Sequence, residues 1–371
     1  MRRIKPALRE VRRLARQYSL GISQEAKETG SLIGGAYRIA RARLGYGVGP
    51  LYYSLYRFST VPQSEWGNYV TDDPAFKERL RGMSRPAMHR IAQNKALMYQ
   101  HCVRHGVPTI PVFCLIGDSP DPLGPEVRSG NDLAEWRAVM QSSPGDLFVK
   151  SVDGTYGEGS FAVSHVRENL YRYEGVEGTI DDLHRHIQAK LSQEKGWIVQ
   201  PRIRSHPGLG GVVSSHGLAT ARVVTAMQEG AARAVVAGFK VTVGTNATDN
   251  FSKGASGNLL AGIDLATGTL SRAWGSRRKD WPEITDFEIH PETGKKIAGF
   301  TLPLWNDLVQ CALRAQESLP ELRSAGWDIA ISERGVLVVE ANLTYDLSIL
   351  QIAHQRGLKR EISSVLESAQ R

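Results

Sequence analysis

Two carboxylates and an amide lie close together near the end of this 371-residue chain, in Gly326-Trp-Asp-Ile-Ala-Ile-Ser-Glu-Arg-Gly-Val-Leu-Val-Val-Glu-Ala-Asn342. A turn at Glu333-Arg334-Gly335 predicts strands paired symmetrically about Arg334, with Ser332 facing Val336, Ala330 facing Val338 and Asp328 facing Glu340. Side chains alternate faces along a strand, so Asn342 joins Glu340, while Ile329, Ile331, Leu337 and Val339 take the core face. Carboxylates directly opposite each other repel. A bound dication turns that repulsion into a site, and two carboxylates with an amide oxygen are hard ligands of the kind Mg²⁺ takes, with positions left for water and phosphate oxygens. The plain alternative is the polar, solvent-facing side of an edge hairpin.

Other residues have the chemistry of phosphate binding. Lys150 ends the apolar run Asp146-Leu-Phe-Val-Lys150 and is followed by Gly154, Thr155, Tyr156, Gly157, Gly159 and Ser160. Glycines let a loop close over phosphates and offer its N–H groups, and a strand-end lysine supplies a point charge. No Gly-Lys-Ser/Thr follows, so this is not a Walker loop, and strand-like residues follow it, so it is not a dinucleotide fingerprint. Taken alone, it also reads as an ordinary turn. Lys95 follows a candidate N-cap, Asn94, where the helix dipole adds positive potential; a solvated lysine is the alternative. Arg222, inside Ala219-Thr-Ala-Arg-Val-Val-Thr225, needs an anion if buried, and a phosphate, a substrate carboxylate or a structural salt bridge would each serve.

These residues need a scaffold of both helices and strands. Helices are predicted over 95–105, from Thr179 toward Gly196, over 303–319 and at the C-terminus. Strands are predicted at 109–116, 146–151, 160–166, 197–203, 218–227, 231–243, 256–264, 269–275 and within 326–342. The pattern is α+β with much antiparallel sheet. Residues 1–85 read as a basic, mainly helical region, 86–205 as a smaller lobe and 206–371 as a larger lobe holding the carboxylates. A cleft between the lobes is expected, with Lys150 on one side and Glu340 on the other.

Together, the motifs resemble the ATP-grasp superfamily, in the order Asn94-Lys95, Lys150, the glycine-rich loop, Trp197-Ile-Val-Gln200, Arg222 and Asp328…Glu340-x-Asn342. D-alanine ligases and ribosomal-protein glutamate ligases are similar in these respects. Sugar-transfer associated ATP-grasp proteins are closer, through Gln200-Pro201, His206-Pro207, Asp249-Asn250-Phe-Ser-Lys253-Gly254, Gly262-Ile-Asp-Leu-Ala-Thr-Gly268, His290-Pro291 and Gly326-Trp-Asp328. The resemblance spans about 45–345 and implies two α+β lobes enclosing a nucleotide. It implies that Lys95 and Lys150 contact ATP phosphates, that 154–160 form a flap over them, and that Gln200 and Ile203 lie beside the nucleotide. Asp328 and Glu340 would hold one Mg²⁺, and Glu340 and Asn342 a second, with Mn²⁺ as a substitute. Arg222, Asn250 and Lys253 would face the γ-phosphate or substrate. Two departures stand out. Gln200 replaces the more usual glutamate, and Gly326 stands where D-alanine ligases carry an arginine. The implied reaction is ligation: a carboxylate is activated as an acyl phosphate and attacked by an amine or another nucleophile. Phosphoryl transfer to a hydroxyl, that of a sugar included, and a non-catalytic basic binding protein for nucleic acid or a membrane surface are the rivals.

Composition sets outer bounds. Apolar residues make up 41% and charged residues 23%, ordinary for a soluble globular protein. No window reaches about 18 uncharged apolar residues, and no secretory signal is read, so a cytoplasmic protein is expected. Cys102, Cys114 and Cys311 are too widely spaced to read as a metal motif. The net charge of +8 suits anionic ligands. Arg2, Arg3, Lys5, Arg9, Arg12, Arg13 and Arg16 crowd a segment where Ile4, Leu8, Val11, Leu14 and Tyr18 recur at helical spacing. That basic amphipathic helix either packs on the body or meets an anionic surface or protein partner; nucleic acid is not the expected ligand.

Overall fold

The computed structural model describes residues 4–71, 74–118, 124, 125, 127–142, 145–154, 160–191 and 196–368. It opens with helices α1 (Ile4–Thr29), α2 (Leu32–Tyr46), α3 (Pro50–Leu55), α4 (Pro74–Gly82), α5 (Pro86–Gln93) and α6 (Lys95–Arg104). The basic amphipathic segment thus runs to Thr29, beyond the expected Tyr18. The Ser31 hydroxyl caps α2 by accepting from the Gly34 amide at 3.1 Å. The tyrosine-rich stretch after it is core: Tyr53, Tyr56, Phe58 and Trp66 pack with Phe251, Leu260 and Ile352 of the second lobe.

The first lobe contains β1 (Cys114–Gly117), β2 (Arg128–Ser129), α7 (Leu133–Ser142), β3 (Leu147–Ser151), β4 (Phe161–Arg167), β5 (Leu170–Tyr173), β6 (Val176–Thr179), α8 (Ile180–Lys190) and β7 (Gly196–Pro201). Its sheet has the order β2-β1-β7-β3-β4-β5-β6, with only β1 and β2 parallel. Trp136 and Val139 of α7 and Leu183 and Ile187 of α8 pack with Val149, Val163 and Val199 of the sheet. The hairpin β5–β6 was not read from the sequence. Its two-residue turn is Glu174-Gly175, with φ of 45° and 83°. Positive φ at both positions is what a tight hairpin needs, but glutamate is a weak signal for it.

The second lobe contains β8 (Thr220–Gln228), β9 (Ala231–Val241), β10 (Leu259–Ile263), β11 (Leu270–Ser276), β12 (Ile284–Phe287), α9 (Trp305–Glu317), β13 (Ser324–Ser332), β14 (Gly335–Asn342), α10 (Leu347–His354) and α11 (Lys359–Ser368). Its sheet, in the order β12-β11-β10-β9-β8-β13-β14, is antiparallel throughout. Period two sorts its side chains. Val223, Ala237, Phe239, Trp327 and Ile329 meet Leu308, Cys311 and Ala312 of α9. Val224 and Val236, on the opposite face, meet Leu350 of α10 and Ile362 of α11.

Several contacts tie the lobes together. Met98 and Cys102 of α6 belong to the core of the second lobe, while Ala96 of the same helix packs with Val112, Leu115, Val152 and Ile198 of the first. Both chain crossings between the lobes are stitched to β13–β14. The Val338 amide donates to Pro108 O at 2.8 Å, and the Thr109 hydroxyl donates to Val338 O at 2.9 Å. The His206 amide donates to Ile331 O at 2.9 Å, and the Glu333 amide donates to Arg204 O at 3.1 Å.

Candidate functional site

The hairpin β13–β14 brings Asp328 opposite Glu340, but by a different register from the expected one. The turn has two residues, Glu333-Arg334, between paired Ser332 and Gly335. Gly335 takes φ of 91°, a conformation open to glycine. Ile331 therefore faces Val336, and Ala330 faces Leu337. Ile329 then faces Val338, and the register shifts so that Asp328 faces Glu340. Val339 is the extra residue, a β-bulge. A shorter turn and one inserted residue cancel at the carboxylates. The core face is corrected accordingly. Val338 and Ala341 join Ile329 and Ile331, while Leu337 and Val339 pack with Ile110 and Ile203 where the lobes meet.

Asp328 is 2% exposed and sits among cations. Arg222 of β8 lies directly across from it and donates twice, Nε to Oδ1 at 2.8 Å and Nη2 to Oδ2 at 2.6 Å. Lys240 Nζ of β9 adds an ion pair to Oδ2 at 3.0 Å and a second to Asp249 Oδ1 at 3.2 Å. The Thr220 hydroxyl donates to Asp249 Oδ2 at 2.5 Å. Burial alone would push the Asp328 carboxyl up; Arg222 and Lys240 overcome it and hold the group well below the usual carboxylate range. Burial opposes charge on Arg222 and Lys240 too, and the facing carboxylates raise both above their ordinary values. The expected repulsion across the hairpin is therefore largely met by the protein's own cations. Glu340 is more open, its side chain 34% exposed, with Arg222 Nη2 3.8 Å away. Asn342 Nδ2 donates to Glu340 Oε1 at 3.2 Å and reaches Asp328 Oδ2 at 3.5 Å.

One cleft is lined by Lys95, Lys150 and Gln200 on one side and Glu340 on the other. Asn94 caps α6, its Oδ1 accepting from the Leu97 amide at 2.9 Å, which sets Lys95 at the helix start. The Lys95 ammonium donates to Gly154 O, at the entrance of the glycine-rich loop. Lys150 is buried at the end of β3. Burial first, then the charge of Lys95, lower its ammonium to about 8, with Glu340 opposing. The Gln200 amide nitrogen donates to Ile110 O at 3.2 Å. Ile203 is buried in the apolar contact between the lobes. Gly154 and Ser160 flank the predicted flap, whose Thr155, Tyr156, Gly157 and Gly159 lie outside the described residues, as do Arg2 and Arg3.

Not all of the expected residues converge. Lys253 takes φ of 56° and places its ammonium 5.8 Å from the Tyr52 ring centroid, toward the N-terminal helices. Asn250 O accepts from Asn258 Nδ2 at 2.9 Å, which fixes the segment after Asp249. In that motif Asp249 joins the charge cluster, and the Lys253 ammonium does not. The sequence reading passed over Lys240 as well. The signal was present: Lys240 is a cation near the end of the apolar run Ala234-Val-Val-Ala-Gly-Phe239 in β9, and Gly238, two residues before it, pairs with Arg222.

The residues fit a dication. Glu340 offers an open carboxylate, and Asn342 a neutral oxygen once its amide turns. A carboxylate has about four lone-pair sites. Arg222 and Lys240 take three of those on Asp328, which leaves Oδ1 as its one remaining donor position.

No curated protein matches this chain. Among solved structures, the biotin carboxylase of Campylobacter jejuni, a beta-gamma-ATP complex, is 9% identical with a TM-score of 0.44; the match covers 75% of this chain and 46% of that one, so this chain spans less than half its length. The D-alanine–D-alanine ligase of Bacillus anthracis is 11% identical with a TM-score of 0.43, covering 82% and 77% of the two chains. A family model described as sugar-transfer associated ATP-grasp matches residues 79–367, a span that holds Lys95, Lys150, Gln200, Arg222, Asp328 and Glu340. The chain belongs to the sugar-transfer associated ATP-grasp family.

Proposed function

We propose that this protein is an ATP- and magnesium-dependent ligase that activates a carboxylate as an acyl phosphate and passes the acyl group to an amine or another nucleophile. The observation that carries the reading is the cleft lined by Lys95 and Lys150 opposite Glu340, with the Arg222–Asp328–Lys240 cluster beside that carboxylate. Lys95 and Lys150 have the position and charge to hold ATP phosphates. Mg²⁺, held by Glu340 and Asn342 with Asp328 Oδ1 in reach, would neutralise phosphate charge. A substrate carboxylate oxygen attacks the γ-phosphorus, the bond to the β–γ bridging oxygen breaks, and ADP leaves. The nucleophile then adds to the acyl carbon, phosphate departs with its bonding pair, and an amine nucleophile gives its proton to a base. Arg222 and Lys240, held at Asp328 beside Glu340, would supply the positive charge that Gly326 cannot. The chain's work is positioning and charge stabilisation. Its thiols are unsuited to covalent catalysis: burial raises Cys102 and Cys114 to about 12 and Cys311 to about 11.

The test is ADP release over pooled carboxylates and amines, with Glu340→Gln as control. Ligation gives ADP and free phosphate in equal amounts. ADP without free phosphate would instead indicate phosphoryl transfer to a hydroxyl, the reading favoured by the family's link to sugar transfer. Undiminished turnover by Glu340→Gln would refute the site.

A further inference from the structure

The positive charge of this chain is concentrated in one place. Residues 1–46 hold 11 of the 46 basic and 3 of the 38 acidic residues, so the remaining 325 carry 35 of each. The whole net charge of +8 therefore sits on the segment of the α1–α2 hairpin.

That hairpin also exposes apolar side chains. Helix α2 is apolar on two faces. Gly35, Ile39 and Ala42 form the buried face; a Cβ at Gly35 would come within 3.0 Å of Ile22 O on α1. On the opposite face Ile33, Tyr37, Ala40 and Leu44 recur at steps of four, three and four, an arc of about 60° at 3.6 residues per turn. Ile33 is 84% exposed, Tyr37 61% and Leu44 87%. By the same geometry Arg41 and Arg43 flank this stripe, one on each side. Helix α1 adds exposed Arg9, Arg12, Arg13 and Arg16, with Val11 and Leu14 also in solvent.

An apolar stripe bordered by arginines suits the boundary of a bilayer: the stripe enters the headgroup region and the arginine stems extend to anionic headgroups. Nucleic acid would satisfy the arginines and leave Ile33 and Leu44 in water. A second copy would bring together two faces of like charge. Among the described residues no helix is long and apolar enough to cross a membrane, so attachment is peripheral. None of these side chains lines the nucleotide cleft. We propose that the α1–α2 hairpin docks this protein on an anionic lipid surface, with Ile33, Tyr37 and Leu44 at headgroup depth.

The experiment is flotation of the full chain with vesicles of phosphatidylcholine, alone or with about 30% phosphatidylserine, an anionic content at which juxtaposed basic residues bind. Binding to the anionic vesicles alone, weakened by salt, is the expected result. Ile33→Asp with Leu44→Asp should weaken it roughly tenfold or more, and Arg12→Gln, Arg13→Gln, Arg41→Gln and Arg43→Gln together should weaken it on anionic vesicles. All six positions are exposed, and an unchanged melting temperature verifies the fold. Equal binding to both vesicle types, no binding, or full binding by the aspartate variant would each overturn the proposal. So would a dimer dispersed by that variant in the absence of lipid binding, or a nucleic-acid complex in its place.

Discussion

Lys150 titrates in an accessible range and faces the cleft, so it can report nucleotide directly. Burial and Lys95 bring its ammonium from 10.5 to about 8. At pH 8 about half of the free protein therefore carries a neutral Lys150. A phosphate oxygen against the ammonium favours the charged form and returns the pKa toward its ordinary value. Binding should thus take up about half a proton at pH 8, about 0.9 at pH 9 and about 0.1 at pH 7. ADP is the probe, because it keeps two phosphates and has no γ-phosphoryl group to transfer. Calorimetric titration in buffers of different ionisation enthalpy counts the protons, and Lys150→Met should abolish the pH-dependent uptake. A second readout needs no ligand. Between pH 8 and 10.5 the unfolded chain binds the extra proton, so the contribution of Lys150 makes stability rise with pH across that window. Uptake that stays near zero at pH 8 and 9, or persists unchanged in Lys150→Met, would refute the placement of phosphates on this lysine.

Three further outcomes are expected. Asp328→Asn leaves Arg222 and Lys240 buried without their shared partner and should cost about 3–5 kcal/mol in metal-free denaturant unfolding, whereas Glu340→Gln, at a partly exposed carboxylate, should change stability by under about 1 kcal/mol; similar losses would contradict the asymmetry between the two carboxylates. The depressed Asp328 pKa contributes stability in full above the ordinary aspartate value of about 3.9 and loses it as pH falls toward the folded value, so wild-type melts should drop more steeply below pH 4 than those of Asp328→Asn. Gly326→Ala places a Cβ 2.7 Å from Tyr345 Cβ and should destabilise by about 1–3 kcal/mol by overpacking, where an unchanged melt would show that Tyr345 yields.

The sequence was most legible where backbone periodicity and side-chain chemistry agreed. Period two put Asp328, Glu340 and Asn342 on one face, and Asn94 marked the start of α6 because its cap depends on local geometry alone. The bulge at Val339 was not legible. No residue type there demands it, and a symmetric hairpin reaches the same carboxylate pair by a simpler path. Lys240 escaped because its partner Asp328 lies 88 residues away, and Asp249 because its partners, Lys240 and Thr220, come from two strands 9 and 29 residues earlier; neither pairing leaves a local spacing. Lys253 misled for the opposite reason: its neighbour Asp249 belongs to the cluster, but the left-handed turn at Lys253 directs its side chain elsewhere. The place of Gly326 becomes intelligible only in three dimensions. Tyr345 fills the space above it, and Arg222 Cδ comes within 3.6 Å of where its Cβ would stand, so the guanidinium arrives from β8 rather than β13.

The hydrogen bonds that stitch both lobe crossings to β13–β14 make this hairpin a fulcrum. Pro108-Thr109 is held on one of its strands, and Arg204 and His206 on the other strand and its turn. A rotation of the first lobe about these anchors moves a side chain in proportion to its distance from them. Glu340 is two residues from Val338, an anchor itself, and stays nearly still. The far strands β5 and β6 sweep the widest arc, and Lys150 travels an intermediate one. Opening and closing can thus change the gap above the carboxylates while leaving their own spacing intact.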